Sequence, residues 1–264
     1  MLFRSRGAVN EVTVHVASLN TRAVTELCIR SMRHHAGMPF DLVVGDCGST
    51  DGSLEMLRAF ERDGWLRLEV APEGRRHPEW LDRWLAACPT RFCGFSDSDV
   101  EYRAPNWLRD VVARARATEA ALVCGRMQHP PATFVHPRTG AARRLAPRPT
   151  PWLLLLDTEQ VRGRVTESFG YRDVVDPDAH GGKVAYDVGA AYFAALEAAG
   201  LPWAEMPPEW QSHYRHFGGL TWLGARGDGV ALRRRAKQAL KLATVHRNLA
   251  RARRGHWGEP STSA

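Results

Sequence analysis

From residue 12 to residue 125 the apolar positions switch repeatedly between a period of two and a period near 3.6. Val12 to Ser18 (VTVHVAS) is β-branched and alternating, which predicts a buried first strand. Asn20-Thr21 then read as a turn and N-cap, and a helix is expected from about Ala23 to His35, with Val24, Leu27, Cys28 and Met32 on one face. Asp41 to Val44 reads as a second strand closed by Asp46-Cys47-Gly48, and Ser49 or Asp51 is expected to cap a short helix through Leu54, Leu57 and Phe60. Leu66 to Val70 reads as a strand, Glu79 to Ala87 as a helix, and Phe92 to Phe95 as a strand running directly into Asp97-Ser98-Asp99. Trp107 to Thr118 is expected to be helical and Ala121 to Gly125 a further strand. Alternation of this kind predicts a mostly parallel central sheet flanked by helices, an α/β fold. Ligands of such sheets bind beyond the carboxyl ends of the strands, so acidic clusters following the second and fourth strands should share one mouth.

The pattern changes after His129. Pro130, Pro131, Pro137, Pro147, Pro149 and Pro151 punctuate a segment that also carries Arg138, Arg143, Arg144 and Arg148, so an irregular excursion or hairpin over the mouth is expected. Trp152 to Asp157 (WLLLLD) reads as a core strand, and Trp152 alone could stack on a ring. Residues 187–199 read as a small-residue helix ended by Gly200-Leu201-Pro202. A basic amphipathic helix is expected from Val230 to Arg254. A helix of that kind can lie on an anionic membrane or pack one face on its own domain.

The chain has 264 residues, 44% hydrophobic and 25% charged, which is a globular composition for one domain of this size. No run approaches the roughly 20 apolar residues of a membrane span, and Arg4 and Arg6 interrupt any signal-like N-terminus. A cytoplasmic location is expected. The five cysteines form no C-x-x-C pair, which argues against a zinc site or a disulfide framework. A net charge of +7 favours anionic partners without choosing among them.

Two acids one residue apart at a strand end, Asp97 and Asp99, place hard oxygen ligands beside a cleft. Mg or Mn prefers such oxygens and shares them with substrate phosphates. The run Asp46-Cys47-Gly48-Ser49-Thr50-Asp51-Gly52-Ser53 by itself reads as a glycine-rich turn with side-chain caps. Taken together, Ala17-Ser18-Leu19-Asn20, then Asp46 to Ser53, then Asp97-Ser98-Asp99 occur in the order and at the spacing of the family 2 glycosyltransferases of GT-A (Rossmann-like) fold, which this chain resembles over about residues 11 to 125.

The resemblance implies a metal-dependent glycosyltransferase using a nucleoside-diphosphate sugar donor, UDP- or GDP-linked, with Mn or Mg as cofactor. It implies that residues 1–125 form the nucleotide-sugar-binding half, residues 126–225 the acceptor and catalytic half of the same domain, and residues 226–264 a basic helical tail. Ala17, Leu19 and Asn20 would line the base pocket, Asp46 would bond the base or ribose, Asp97 and Ser98 would contact the donor, and Asp99 would bind the metal. Leu19 stands where the family carries an aromatic that packs on the base. Arg75 and Arg76 stand where family members carry a base- or phosphate-contacting residue. His216, with His213 second, is expected to complete the metal shell, since imidazole serves as a third ligand. An inverting transfer needs a base for the acceptor hydroxyl. Asp187, at the expected start of a helix, is the candidate, ahead of Glu167 and Asp178. The acceptor is not named by these residues.

Other chemistries lack their motifs. The turn after the first strand has no G-x-G-x-x-G for a dinucleotide, and no G-x-x-x-x-G-K-[ST] occurs anywhere. A nucleotidyltransferase would carry a glycine-rich loop where Ser18-Leu19-Asn20-Thr21 stand. A non-catalytic nucleotide-sugar-binding module on the same fold is the remaining alternative. The basic tail carries peripheral membrane contact as a possible role, and no nucleic acid is expected as a partner.

Overall fold

The computed structural model describes residues 10–71, 74–129, 134–135, 142–176, 182–220 and 232–257. Pro130, Pro131, Pro137, Arg138, Asp178, the 225/226 boundary and Val230, all used in the sequence reading, lie outside these residues.

In chain order the elements are β1 (Val12–Ser18), α1 (Arg22–His35), β2 (Asp41–Asp46), α2 (Ser53–Arg62), β3 (Arg67–Val70), α3 (His77–Ala87), β4 (Phe92–Asp97), β5 (Val100–Tyr102), α4 (Trp107–Ala117) and β6 (Leu122–Cys124). There follow β7 (Met127–Gln128), β8 (Phe134–Val135), β9 (Ala142–Leu145), β10 (Arg148–Pro149), β11 (Leu153–Asp157), α5 (Thr158–Val161), β12 (Arg172–Val175), β13 (Lys183–Tyr186), α6 (Ala190–Ala198), β14 (Trp203–Glu205), β15 (Tyr214–His216) and α7 (Leu232–Arg253).

The central sheet has seven strands in the order β14-β6-β11-β4-β1-β2-β3. Pairings β1–β2, β1–β4, β2–β3 and β6–β14 are parallel. β11 is antiparallel to both β4 and β6. The strand at residues 122–124 is therefore not the direct neighbour of β4, as simple alternation would have it. The four leucines of β11 are all buried, and only a central position covers an apolar run on both faces. One face of the sheet packs α1, α2 and α4 through Met32, Leu57 and Trp107. The other packs α3 and α6 through Trp80, Trp84, Tyr192 and Leu196.

Gly45 in β2 shows how closely the layers meet. A β-carbon there would lie 2.7 Å from the Trp84 ring and 3.0 Å from Trp80. Bare backbone at this position is what lets α3 lie against the sheet and bring its first turn to the strand ends.

The excursion between residues 129 and 151 contains small antiparallel pieces, β7 with β10 and β8 with β9, and β13 adds to β9 in parallel. α7 lies across α1. Val245, Leu249 and Ala252 are buried with Val24, Leu27 and Phe217, the Arg253 guanidinium takes both oxygens of Glu26, and Trp257 stacks on His34 at 4.3 Å. Val245, Leu249 and Ala252 thus pack on α1, while Leu240 stays 71% exposed. No helix among the described residues is long and apolar enough to cross a membrane.

Candidate active site at the sheet rim

The parallel register settles which loops meet. Ala17 pairs with Gly45 on one side and Asp97 on the other, and Ser18 pairs with Asp46. Asp46 and Asp97 therefore flank the tip of β1 at one rim of the sheet.

The first two loops are stitched together. Cys47 N–H donates to the Ser18 carbonyl at 2.9 Å, Asn20 N–H donates to Ser49 Oγ at 3.0 Å, Thr50 N–H donates to Asn20 Oδ1 at 2.8 Å, and Arg22 N–H donates to Asp51 Oδ2 at 3.0 Å. Asn20 holds a positive φ of 51°, which asparagine tolerates better than most residues. Asp46 is fully buried. Its Oδ2 accepts from Gly48 N–H and Ser49 N–H, both at 3.0 Å, while Oδ1 has no partner among the described residues. An unpaired buried carboxylate oxygen is costly, and it lies at the rim where a ligand would enter. Ala17 is half-buried and Leu19 is 36% exposed at the opening.

Two capping expectations need correction. Thr21 stands at the N-cap of α1 but makes no side-chain cap; its hydroxyl bonds Thr25 and Ser98 instead. Ser98, read as a donor contact, is buried in this hydroxyl network and anchors the acidic turn to α1. The N-cap of α2 is Gly52 with φ 83°, and Asp51 Oδ1 accepts from Ser53 N–H and Oγ–H.

Asp97, Asp99 and His216 form the centre of the site. One ligand atom from each can be chosen so that all lie within 4.8 Å of one another. His216 Nε2 is 3.0 Å from Asp99 Oδ1 and 3.8 Å from Asp97 Oδ2. The distant histidine arrives through a two-stranded ribbon. β15 pairs with β5 so that His216 lies opposite Val100, and Phe217 N–H donates to the Asp99 carbonyl at 2.9 Å. Trp152 stacks on the imidazole at 4.4 Å and donates Nε1–H to Tyr214 Oη at 3.3 Å. Lys241 of α7 donates to the Gly218 carbonyl at 2.6 Å. His213 has turned away, its ring 5.5 Å from Trp210.

Burial, together with the neighbouring Asp99 charge, pushes the Asp97 carboxyl up, against the pull of His77 and His216. Burial alone would lower His216, but the Asp99 hydrogen bond and the two carboxylate charges outweigh it and raise the imidazole above its ordinary value. Two crowded carboxylates and an imidazole form a donor set that fits Mn or Mg.

Of the paired arginines, Arg75 lies over the Trp80 ring at 4.5 Å, and Arg76 caps α3 with Glu79 returning to its N–H. The residue that reaches the acidic turn is the next one. His77 Nε2 lies 3.6 Å from Asp97 Oδ1. Sequence reasoning passed over it, because its reach to Asp97 depends on how α3 packs against the sheet.

Asp187 does not begin a helix. α6 starts at Ala190 behind Gly189, whose φ is 82°. Asp187 instead forms an ion pair with Arg148 Nη2 at 2.7 Å, and burial, together with the Asp187 charge, pushes the Tyr171 hydroxyl up. Arg148 further donates to the Val188 carbonyl and to Gln128, and its charge acts on Asp97. Arg148 thus pairs with Asp187 while its charge is felt at Asp97. Glu167 is engaged by Arg172.

The sequence profile of glycosyl transferase family 2 matches residues 13–176. No curated protein matches the chain. Among solved structures, a mannosyltransferase from Pyrobaculum calidifontis in complex with GDP-Man and Mn2+ is 18% identical with a TM-score of 0.50, over 92% of this chain and 73% of that one. Glucosyl-3-phosphoglycerate synthase from Mycobacterium tuberculosis is 16% identical with a TM-score of 0.47, over 99% and 88%. S. aureus TarS is 14% identical with a TM-score of 0.44, over 92% and 73%. With more than half its length matched to one family and a GT-A sheet carrying the acidic motifs at its rim, the chain belongs to glycosyl transferase family 2 and is a nucleotide-sugar glycosyltransferase.

Proposed function

We propose that the enzyme transfers a sugar from a UDP- or GDP-linked donor to an acceptor hydroxyl with inversion, using Mn or Mg held by Asp97, Asp99 and His216. The observation that carries this reading is the meeting of those three side chains beside Asp46 on one rim. The Pyrobaculum mannosyltransferase, which shares the fold, is in complex with a nucleotide sugar and Mn2+, and that supports the choice of ligands.

Asp46, with Oδ1 unpaired, bonds the base or ribose, and Ala17, Leu19 and Asn20 line the nucleoside. Arg75 and Arg76 stand at the entrance, and His77 beside Asp97 adds a donor toward the ribose or diphosphate. A bound cation neutralises charge on the departing nucleoside diphosphate. Asp187, oriented by Arg148, takes the proton of the acceptor hydroxyl as its oxygen attacks the anomeric carbon. The bond from that carbon to the phosphate oxygen breaks, and its electron pair leaves with the diphosphate. Charged residues supply the acid–base work, while the stitched loops hold the donor in line.

Isothermal titration of UDP and GDP, each with and without Mn, tests the reading. Binding of one nucleotide that strengthens at least tenfold with Mn is expected. Absence of metal-dependent binding for both would overturn it.

A further inference from the structure

Behind the ribbon that carries His216 lies a second group of charged side chains. β5 and β15 set Glu101 opposite Arg215 and Val100 opposite His216. Successive strand residues face opposite ways, so Arg215 points away from the metal-ligand group. On that side a cavity of ≈ 260 Å³ opens between the ribbon, α1 and α7. Arg103 and Arg215 line it from the ribbon side and are half-buried; Arg247 and Arg251 line it from α7 and are exposed.

These arginines differ from the others around them. Arg253 is bound to Glu26, Arg148 to Asp187 and Arg91 to Asp157. Among the described residues, no ion pair or side-chain hydrogen bond engages Arg103, Arg215, Arg247 or Arg251. Glu101, the one carboxylate lining the cavity, does not neutralise them by contact. Both its oxygens accept from Asn248 Nδ2, at 2.9 and 3.0 Å. Burial pushes its carboxyl up, and the charges of Arg215, Arg103 and Arg251 only partly pull it back. Four guanidinium groups face one carboxylate around so small a space, and the excess positive charge is mutually repulsive. Their planar forks match phosphate oxygens two at a time.

We propose that this cleft binds a phosphate-bearing anion, either free phosphate or diphosphate or the phosphate of a lipid headgroup, held by Arg103, Arg215, Arg247 and Arg251. The site is separate from the donor site. An anion there bridges α7 to the ribbon and so braces the segment that presents His216.

The test uses metal-free full-length protein in chloride buffer. Inorganic phosphate and pyrophosphate are titrated calorimetrically, and co-sedimentation compares vesicles of phosphatidic acid in phosphatidylcholine with pure phosphatidylcholine. Arg215→Gln/Arg251→Gln removes one guanidinium from each wall. Lys237→Gln/Arg254→Gln removes one charge from α7 and one from the residue after it, both outside the cleft, and melting curves check that both variants fold. The cleft variant should bind at least tenfold more weakly, with the control within twofold of wild type. Saturable titration by the soluble anions identifies a free phosphate as the source; binding confined to the phosphatidic acid vesicles identifies a headgroup. No binding in either arm, binding untouched by the cleft variant, or equal loss in the control would overturn the proposal.

Discussion

Asp187 meets Arg148 at 2.7 Å, an ion pair that positions its carboxylate for the proposed role as base. Asp187→Asn keeps the shape and removes the charge. Transfer should fall by roughly 10²–10⁴-fold, the usual worth of a positioned base, while the Kd for donor nucleotide stays within about twofold by calorimetry. A near-normal rate would move the base elsewhere. Trp152 acts on the metal site through His216, against which its ring is stacked. Trp152→Ala should weaken Mn affinity by about 10–100-fold, the range for partners that orient a ligand, and Trp152→Phe should restore most of it; equal affinity in all three proteins would remove this role. At this scale the acidic residues were legible, because an apolar strand ending in carboxylates announces a site by local pattern alone. His77, Arg148 and Trp152 were not. Their roles arise only when Gly45 admits α3 to the sheet and the β5–β15 ribbon folds back, and neither event has a local signature.

Among the elements, α7 shows what an amphipathic pattern can and cannot say. The spacing of Leu240, Ala243 and Leu249 predicts a helix with an apolar stripe, but not the surface that stripe will meet. The structure places Val245, Leu249 and Ala252 against α1, adds the Arg253–Glu26 pair, and leaves Leu240 71% exposed. Leu249→Ala should therefore cost about 2–5 kcal/mol of stability in urea denaturation, whereas Leu240→Ala should change it by less than about 0.5 kcal/mol. Comparable losses at both positions would contradict this packing. β11 is the complementary case. Its run of leucines was legible as a core strand, yet its antiparallel insertion between β4 and β6 was not, since direction depends on the long connection preceding it.

For the whole molecule, acid stability follows from imidazoles buried without charge. His15 sits against Trp84 and Phe95, and burial drives it down to about 3 despite a bond to the Gly94 carbonyl. His35 is lowered to about 4, by burial first and by His34 second. The unfolded chain takes up these protons near pH 6.5 while the folded chain resists. The associated stability is complete above about pH 6.5 and is lost progressively as pH falls toward 3, by up to about 1.4 kcal/mol per pH unit for each such group. His15→Gln should flatten the decline measured between pH 6.5 and 4.5; an unchanged slope would contradict it.

Loops following β1, β2 and β4 meet at one rim, where Asp97, Asp99 and His216 would hold a divalent cation that offsets the charge of a donor diphosphate. The most direct test of that role is the Mn-dependent rate of donor consumption by wild type and by Asp99→Ala, with matched melting temperatures. Roughly a 10²-fold or greater loss is predicted, the scale on which a group stabilising developing charge acts. A folded Asp99→Ala variant turning over at the wild-type rate would contradict that role.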